Sequence, residues 1–136
     1  MNSNSSNIQN NDFTPKAALV LAAITMSAID GDLDENEIAI INRICGSDTS
    51  KAWDAAIAVW DVKHVDECIE LIADLLDSKQ QRVVLANMVD VAMADGYLDE
   101  AENMLLRAYV AAFDVADQDV EKIVDVITIK NDKTRF

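Results

Sequence analysis

The chain has 136 residues with 25 acidic and 11 basic side chains, which give a net charge of −14. This length suits one domain that buries a core without disulfide bonds or a structural metal, and the negative charge excludes nucleic-acid binding and opposes adsorption to an anionic membrane. Because 51% of the residues are hydrophobic and only three are glycine and one is proline, the composition predicts an all-α fold.

The first half of the chain reads as an arm followed by two helices. Residues 1–13 are polar and lack the pattern of a signal peptide, so we expect a disordered arm. Thr14 and Pro15 predict the start of the first helix, because Thr is a good N-cap and Pro suits the first helical position. That helix is apolar on all sides as far as Ile24, which predicts a central, buried position. After an acidic turn, a second helix is expected to end at Gly46.

The remainder of the chain predicts five more helices, in one compact bundle of seven. The one after the second acidic turn carries apolar residues at helical spacing from Leu105 onward. A single domain over residues 14–130 and a frayed tail at 131–136 complete this organisation. The other four helices are expected at about Ser50–Trp60, Val65–Leu76, Arg82–Ala94 (entered through a capping box at Ser78–Gln81) and Asp117–Ile129.

The compartment is inferred from what the sequence lacks. The longest uncharged stretch, Ala17–Ile29, would span about 20 Å as a helix, which is less than the roughly 30 Å of a bilayer core. Cys45 and Cys68 are far apart and lie among isoleucines, so we expect two buried, reduced thiols. These features together predict a cytoplasmic protein with no direct membrane insertion.

An internal repeat relates two segments that are 65 residues apart. Residues 30–37 read DGDLDENE and residues 95–102 read DGYLDEAE, so six of eight positions are identical. Each copy follows a charge-poor apolar segment and precedes apolar residues at helical spacing. The repeat predicts two halves, each built as helix, acidic turn and helix.

Helix capping is one interpretation of the acidic turns. In a capping box, an Asp N-cap and a Glu three residues later each accept a bond from the other's backbone N–H. Asp34 with Glu37 has this spacing, and so does Asp99 with Glu102. In this interpretation, the turns only end one helix and begin the next.

Cation binding is the other interpretation, since the turns match the second half of an EF-hand loop. The first half fails, because Met26 and Ala28 stand where ligands belong in one copy and Val91 and Met93 in the other. A full EF-hand is therefore excluded, but if the two turns meet, their carboxylates would attract Ca²⁺ or Mg²⁺. The candidate metal ligands are Asp30, Asp34, Glu37, Asp95, Asp99 and Glu102, with Asp32 and Asp90 as supporting charges.

These motifs resemble the tellurite-resistance TerB-like family, and also the N-terminal module of DjlA-type membrane-anchored co-chaperones. The closest stretch is 93–102, MADGYLDEAE, whereas 27–31, SAIDG, is looser. FDVADQD at 113–119 is similar to the family's closing turn. The resemblance extends over about Pro15–Ile129, although Trp53–Leu76 contains no motif that we recognise.

The resemblance implies an all-α bundle with a pseudo-twofold repeat, in which both turns build an acidic patch. It further implies a role in stress or tellurite-resistance systems, with divalent-cation binding, protein partners and no catalysis. Because no J-domain or membrane span is found in the sequence, we do not expect the co-chaperone role to apply.

Catalysis is not expected from the residues present. A di-iron bundle needs two Glu-x-x-His units, and His64 is the one histidine. The three glycines are isolated and cannot form a phosphate-binding loop. We therefore predict a protein that is not an enzyme and has no catalytic residues.

A tryptophan pair offers an alternative functional surface. Trp53 and Trp60 are seven residues apart and share a helix face with Ala56 and Ile57. Core packing is the first explanation, and the other is a docking face for a basic segment of a protein partner or for a second copy in a homodimer. The predicted function is a non-enzymatic acidic module of a stress or tellurite-resistance type system that binds divalent cations weakly through its paired turns. The alternative is a pure protein-interaction module whose acidic turns are only helix caps.

Overall fold

The computed structural model describes residues 13–29, 33–46, 49–93 and 99–136. These residues form seven α-helices and no strand, which confirms the predicted all-α class and helix number. The predicted arm lies outside the described residues except for Phe13, and the domain limits stay a prediction. The helices are α1 (Pro15–Ser27), α2 (Glu35–Cys45), α3 (Ser50–Val62), α4 (Val65–Leu75), α5 (Ser78–Ala92), α6 (Glu100–Phe113) and α7 (Asp117–Asn131).

Helix α1 is the centre of the bundle. Nine of its 13 residues are buried, and it packs against α2, α3, α4, α5 and α6. A helix that is apolar on every side can bury its whole surface only when other helices surround it. The predicted central position is therefore confirmed.

An N-cap side chain accepts a backbone N–H at the start of α1, α2, α5 and α6. The hydroxyl of Thr14 accepts a bond from the Ala17 N–H at 3.2 Å, as predicted for the N-cap of α1. The capping box of α5 begins at Asp77 and not at Ser78, because Asp77 has extended backbone angles while Ser78 is already helical. At the end of α2, Gly46 has a φ of +80°, a backbone conformation that residues with a Cβ rarely adopt.

The two halves meet through their first helices. Helix α1 packs on α2 and α3, α5 packs on α6 and α7, and α1 and α5 contact each other. Pro15 and Leu19 of α1 line one cleft together with Gln80 and Val83 of α5, so both helices begin at the same end of the bundle. These contacts fit the predicted two-half organisation, and the pseudo-twofold relation itself stays a prediction.

Both cysteines are buried and form no disulfide, as predicted. Burial raises the pKa of the Cys45 thiol to about 11, although the charge of Lys16 opposes this. Burial also raises the pKa of Cys68, so both side chains are neutral thiols near pH 7. Over the described ranges, no helix has the length and apolar character needed to cross a membrane.

Candidate functional site

The capping boxes predicted at the two acidic turns are both formed. Asp34 accepts a bond from the Glu37 N–H at 2.8 Å, and Glu37 accepts one from the Asp34 N–H at 3.1 Å. Asp99 accepts from the Glu102 N–H at 2.8 Å, and Glu102 accepts from the Asp99 N–H at 3.3 Å. All four carboxylates therefore lie at the N-termini of α2 and α6, where the helix dipole favours negative charge.

Three of the other four predicted residues cannot be placed in the same way. Asp30, Asp32 and Asp95 lie outside the described residues. Within the described part of the chain, no three Asp, Glu, His or Cys side chains come together as a metal-binding group. The described carboxylates do not form a cation site by themselves, and the predicted ligand set stays a prediction.

The segments before the turns confirm that neither copy is a full EF-hand. Met26 lies within α1 and Val91 within α5, while Ala28 and Met93 are the C-caps of those helices. The first half of each expected loop is therefore helix. One polar atom stands out here: the buried hydroxyl of Ser27, at the end of α1, has no hydrogen-bond partner within the described residues.

Asp90, a supporting charge of the predicted set, bonds to the end of α7. Its carboxylate accepts bonds from Lys130 Nζ at 3.0 Å and from Asn131 Nδ2 at 2.9 Å. Burial acts to raise the pKa of Asp90, but the hydrogen bonds from Asn131 and Lys130 and the charges of Lys130 and Arg43 lower it below its usual range. In this arrangement, Asp90 fastens the end of α7 to α5.

A buried polar pair escaped the sequence analysis. Tyr109 is fully buried on α6, and its hydroxyl lies 2.7 Å from Thr25 Oγ1 on α1. Because Thr25 donates its own proton to the Ala22 carbonyl at 2.7 Å, the Tyr109 hydroxyl is the donor in this pair. Burial raises the pKa of Tyr109, which keeps it a donor. The sequence feature that could have indicated this pair is a lone Thr in an apolar helix together with a Tyr on the apolar face of another helix.

The tryptophans pack as the first explanation expects. Trp53 and Trp60 are half-buried against the core, and Ala56 between them is fully buried. Trp53 Nε1 also donates to Asn42 Oδ1 at 2.6 Å, which ties α3 to α2. This face contributes to the core of the bundle.

His64 is exposed and has a capping position. It is the N-cap of α4, and its backbone N–H donates to Glu67 Oε1 at 3.1 Å. The one histidine of the chain therefore lies at a helix start on the surface.

The comparison with known proteins gives one family. The sequence model described as Tellurite resistance protein TerB matches residues 52–125, which is more than half of the chain. The match contains the second acidic turn and extends through Trp53–Leu76, where we recognised no motif, whereas the first turn precedes it. No curated protein and no solved structure matches the chain.

Proposed function

Because the chain belongs to the TerB family of tellurite resistance proteins, we propose that it is a non-enzymatic acidic module of a tellurite-resistance or stress-response system. In this proposal, its two acidic turns hold a divalent cation weakly, either Ca²⁺ or Mg²⁺. The family membership supports the setting, and the surplus of carboxylates at the caps supports the site.

The observation that carries the proposal is that the acidic turns hold more charge than their caps require. Helix α5 forms the same capping box with Gln80 in place of Glu, with bonds of 2.8 and 3.0 Å. A neutral amide therefore performs the same capping task in this chain. A carboxylate offers about four acceptor positions on two oxygens, so the backbone bond of a cap does not by itself use up its capacity to bind a cation.

The placement of the helices supports a shared site. Since α1 and α5 begin at the same end of the bundle, they lead in the same general direction toward the two turns. The buried hydroxyl of Ser27, which has no hydrogen-bond partner among the described residues, precedes the first turn and offers one more oxygen ligand. Oxygen donors of this kind suit hard cations such as Ca²⁺ and Mg²⁺.

The completeness of the capping boxes favours a second candidate, a protein-interaction module whose turns are only caps. Their bonds account for Asp34, Glu37, Asp99 and Glu102 without a ligand. In that case, the acidic surface serves to attract a basic partner.

Thermal unfolding in EDTA, MgCl₂ or CaCl₂ at constant high ionic strength tests the cation site. With a dissociation constant of about 0.1 mM, about 5 mM cation stabilises the fold by about 2.3 kcal/mol. For a domain of this size, we expect the melting temperature to rise by roughly 5–9 °C.

Charge-removing variants separate ligation from capping. Asn and Gln keep the caps, so Asp99→Asn and Glu102→Gln should abolish the cation-dependent shift while the protein stays folded. The matched control is Asp77→Asn, which removes one charge from the N-cap of α5 outside the acidic turns and should retain the shift. If neither cation acts beyond the effect of added NaCl, the cation proposal is wrong and the interaction module replaces it.

A further inference from the structure

Helices α6 and α7 leave an open groove between them. Within the described chain, both pack on α5 and not extensively on each other, and the cleft between them has a volume of about 660 Å³. Its floor is apolar, with Leu106 and Val110 from α6 and Val120 and Val124 from α7. The three valines are only partly buried, so the groove presents apolar surface to solvent.

One wall of the groove is acidic. Asp114, Asp117 and Glu121 line it and are exposed, and Asp117 and Glu121 lie one helical turn apart on α7. In the part of the chain that the structure describes, none of the three forms an ion pair. Across the groove, Arg107 provides a positive charge from α6.

We propose that this groove docks an amphipathic helical segment of a protein partner, whose apolar side chains contact the valine floor and whose Lys or Arg side chains face Asp117 and Glu121. An apolar groove between two helices accepts the apolar face of a third helix. Charge complementarity with the acidic wall and with the net charge of −14 selects a basic segment.

The dimensions set the length of the partner. The groove follows α6 from Asn103 to Asp114, which corresponds to about 16 Å at 1.5 Å per residue. A partner helix of about three turns therefore spans it. Arg107, on the opposite wall, fixes the orientation by meeting an acidic or polar group at one edge of that helix.

The chain contains matched control positions on the same helix. Val126 is 63% exposed and Asp125 is also exposed, and neither lines the groove. A change at either position alters hydrophobicity or charge by the same amount as a change at Val124 or Glu121. Nonspecific effects of charge and hydrophobicity on peptide binding therefore cancel when the groove variants are compared with the control variants.

The test is a fluorescence-anisotropy titration of the full chain in EDTA, so that its outcome does not depend on cations. The probes are two labelled amphipathic peptides of about four helical turns, with Leu on one face and either Lys or Glu on the other. We expect the Lys peptide to bind and the Glu peptide not to bind. Val124→Ser and Glu121→Lys should each weaken binding about tenfold, whereas Val126→Ser and Asp125→Lys should change it by less than about twofold.

Chemical-shift changes in ¹⁵N NMR spectra should map to α6 and α7. Since Val124 also contacts the core, the melting temperature of that variant is measured, and the surface variant Glu121→Lys decides the matter if Val124→Ser is unfolded. Equal binding of the Glu peptide, failure of the Lys peptide to bind, equal losses in the control variants, or shifts confined to α3 would overturn the proposal. Occupation of the groove by a second copy of the chain, seen as a concentration-dependent dimer, would also overturn it.

Discussion

The hydroxyl of Tyr109 lies in the interior of the bundle and donates a hydrogen bond to Thr25 of α1. The two oxygens are 2.7 Å apart. The two ends of this bond are not equivalent. Thr25 also donates to Ala22 and so keeps a partner if Tyr109 loses its hydroxyl, whereas Tyr109 has no second partner among the described residues. A buried polar group without a partner lowers stability. The loss caused by deleting one hydroxyl therefore depends on whether the other hydroxyl keeps a hydrogen bond.

We therefore predict that Thr25→Val destabilises the fold more than Tyr109→Phe. The first variant leaves the tyrosine hydroxyl unpaired, at about 1–3 kcal/mol, and the second costs about 1 kcal/mol. The double variant should lose less than the sum of the two, since it contains no unpaired group. Chemical denaturation of the four proteins measures this, and equal losses in the two single variants would contradict the assignment of Tyr109 as the donor.

At the scale of elements, α7 is held differently from the other helices. Only Ile127 of this helix is buried, while Val126 and Ile129 are largely exposed. Its C-terminal end is bonded to α5 through Asp90 and Lys130, at 3.0 Å. Helix α1 is held in the bundle by apolar packing, whereas α7 is held partly by polar bonds. Because Asp90 is titratable, the attachment of α7 is sensitive to pH.

The pKa of Asp90 is lower in the folded protein than its unfolded value of about 3.9. The stability contributed by its charge is therefore present above pH 3.9 and is lost as the pH falls through the folded pKa. We expect Asp90→Asn to lower the melting temperature at pH 7 by a few degrees, in line with a loss of about 1 kcal/mol. The difference should shrink below pH 4, and Asp125→Asn, on the exposed side of α7, should show neither effect.

At the scale of the whole molecule, a net charge of −14 opposes compaction. Within the described residues, three ion pairs offset little of it. Self-repulsion of this kind falls as salt shortens the Debye length, from about 10 Å at 0.1 M to about 3 Å at 1 M. Stability should therefore depend on ionic strength in the absence of any specific site.

We predict that the melting temperature rises with NaCl and rises equally with choline chloride at the same ionic strength, because screening does not depend on the cation. Differential scanning calorimetry in EDTA measures this. A melting temperature that is constant or falls with salt would mean that attractive pairs outweigh repulsion. The monovalent curve is also the baseline above which a Ca²⁺ or Mg²⁺ effect counts as binding.

The sequence by itself determined the helix class, the number of helices and several of their ends. These features depend on local chemistry: Thr14 caps α1, Gly46 ends α2, and the Asp-x-x-Glu spacing forms a capping box wherever its helix begins. The central place of α1 was also predictable, because an apolar surface on every side has one stable solution. The start of α5 was predicted four residues too late, at Arg82 and not at Ser78. Its N-cap was predicted one residue too late, since Asp77 and Ser78 are both good N-caps and only the backbone angles distinguish them.

Only the tertiary structure decided which distant groups meet. Asp90 was grouped with the acidic turns because it is near them in sequence, yet it bonds to Lys130, 40 residues further along the chain. Thr25 and Tyr109 are 84 residues apart, and no local pattern pairs them. The groove between α6 and α7 likewise arises because both helices pack on α5, and helical periodicity identifies the apolar face of a helix without identifying what will cover it.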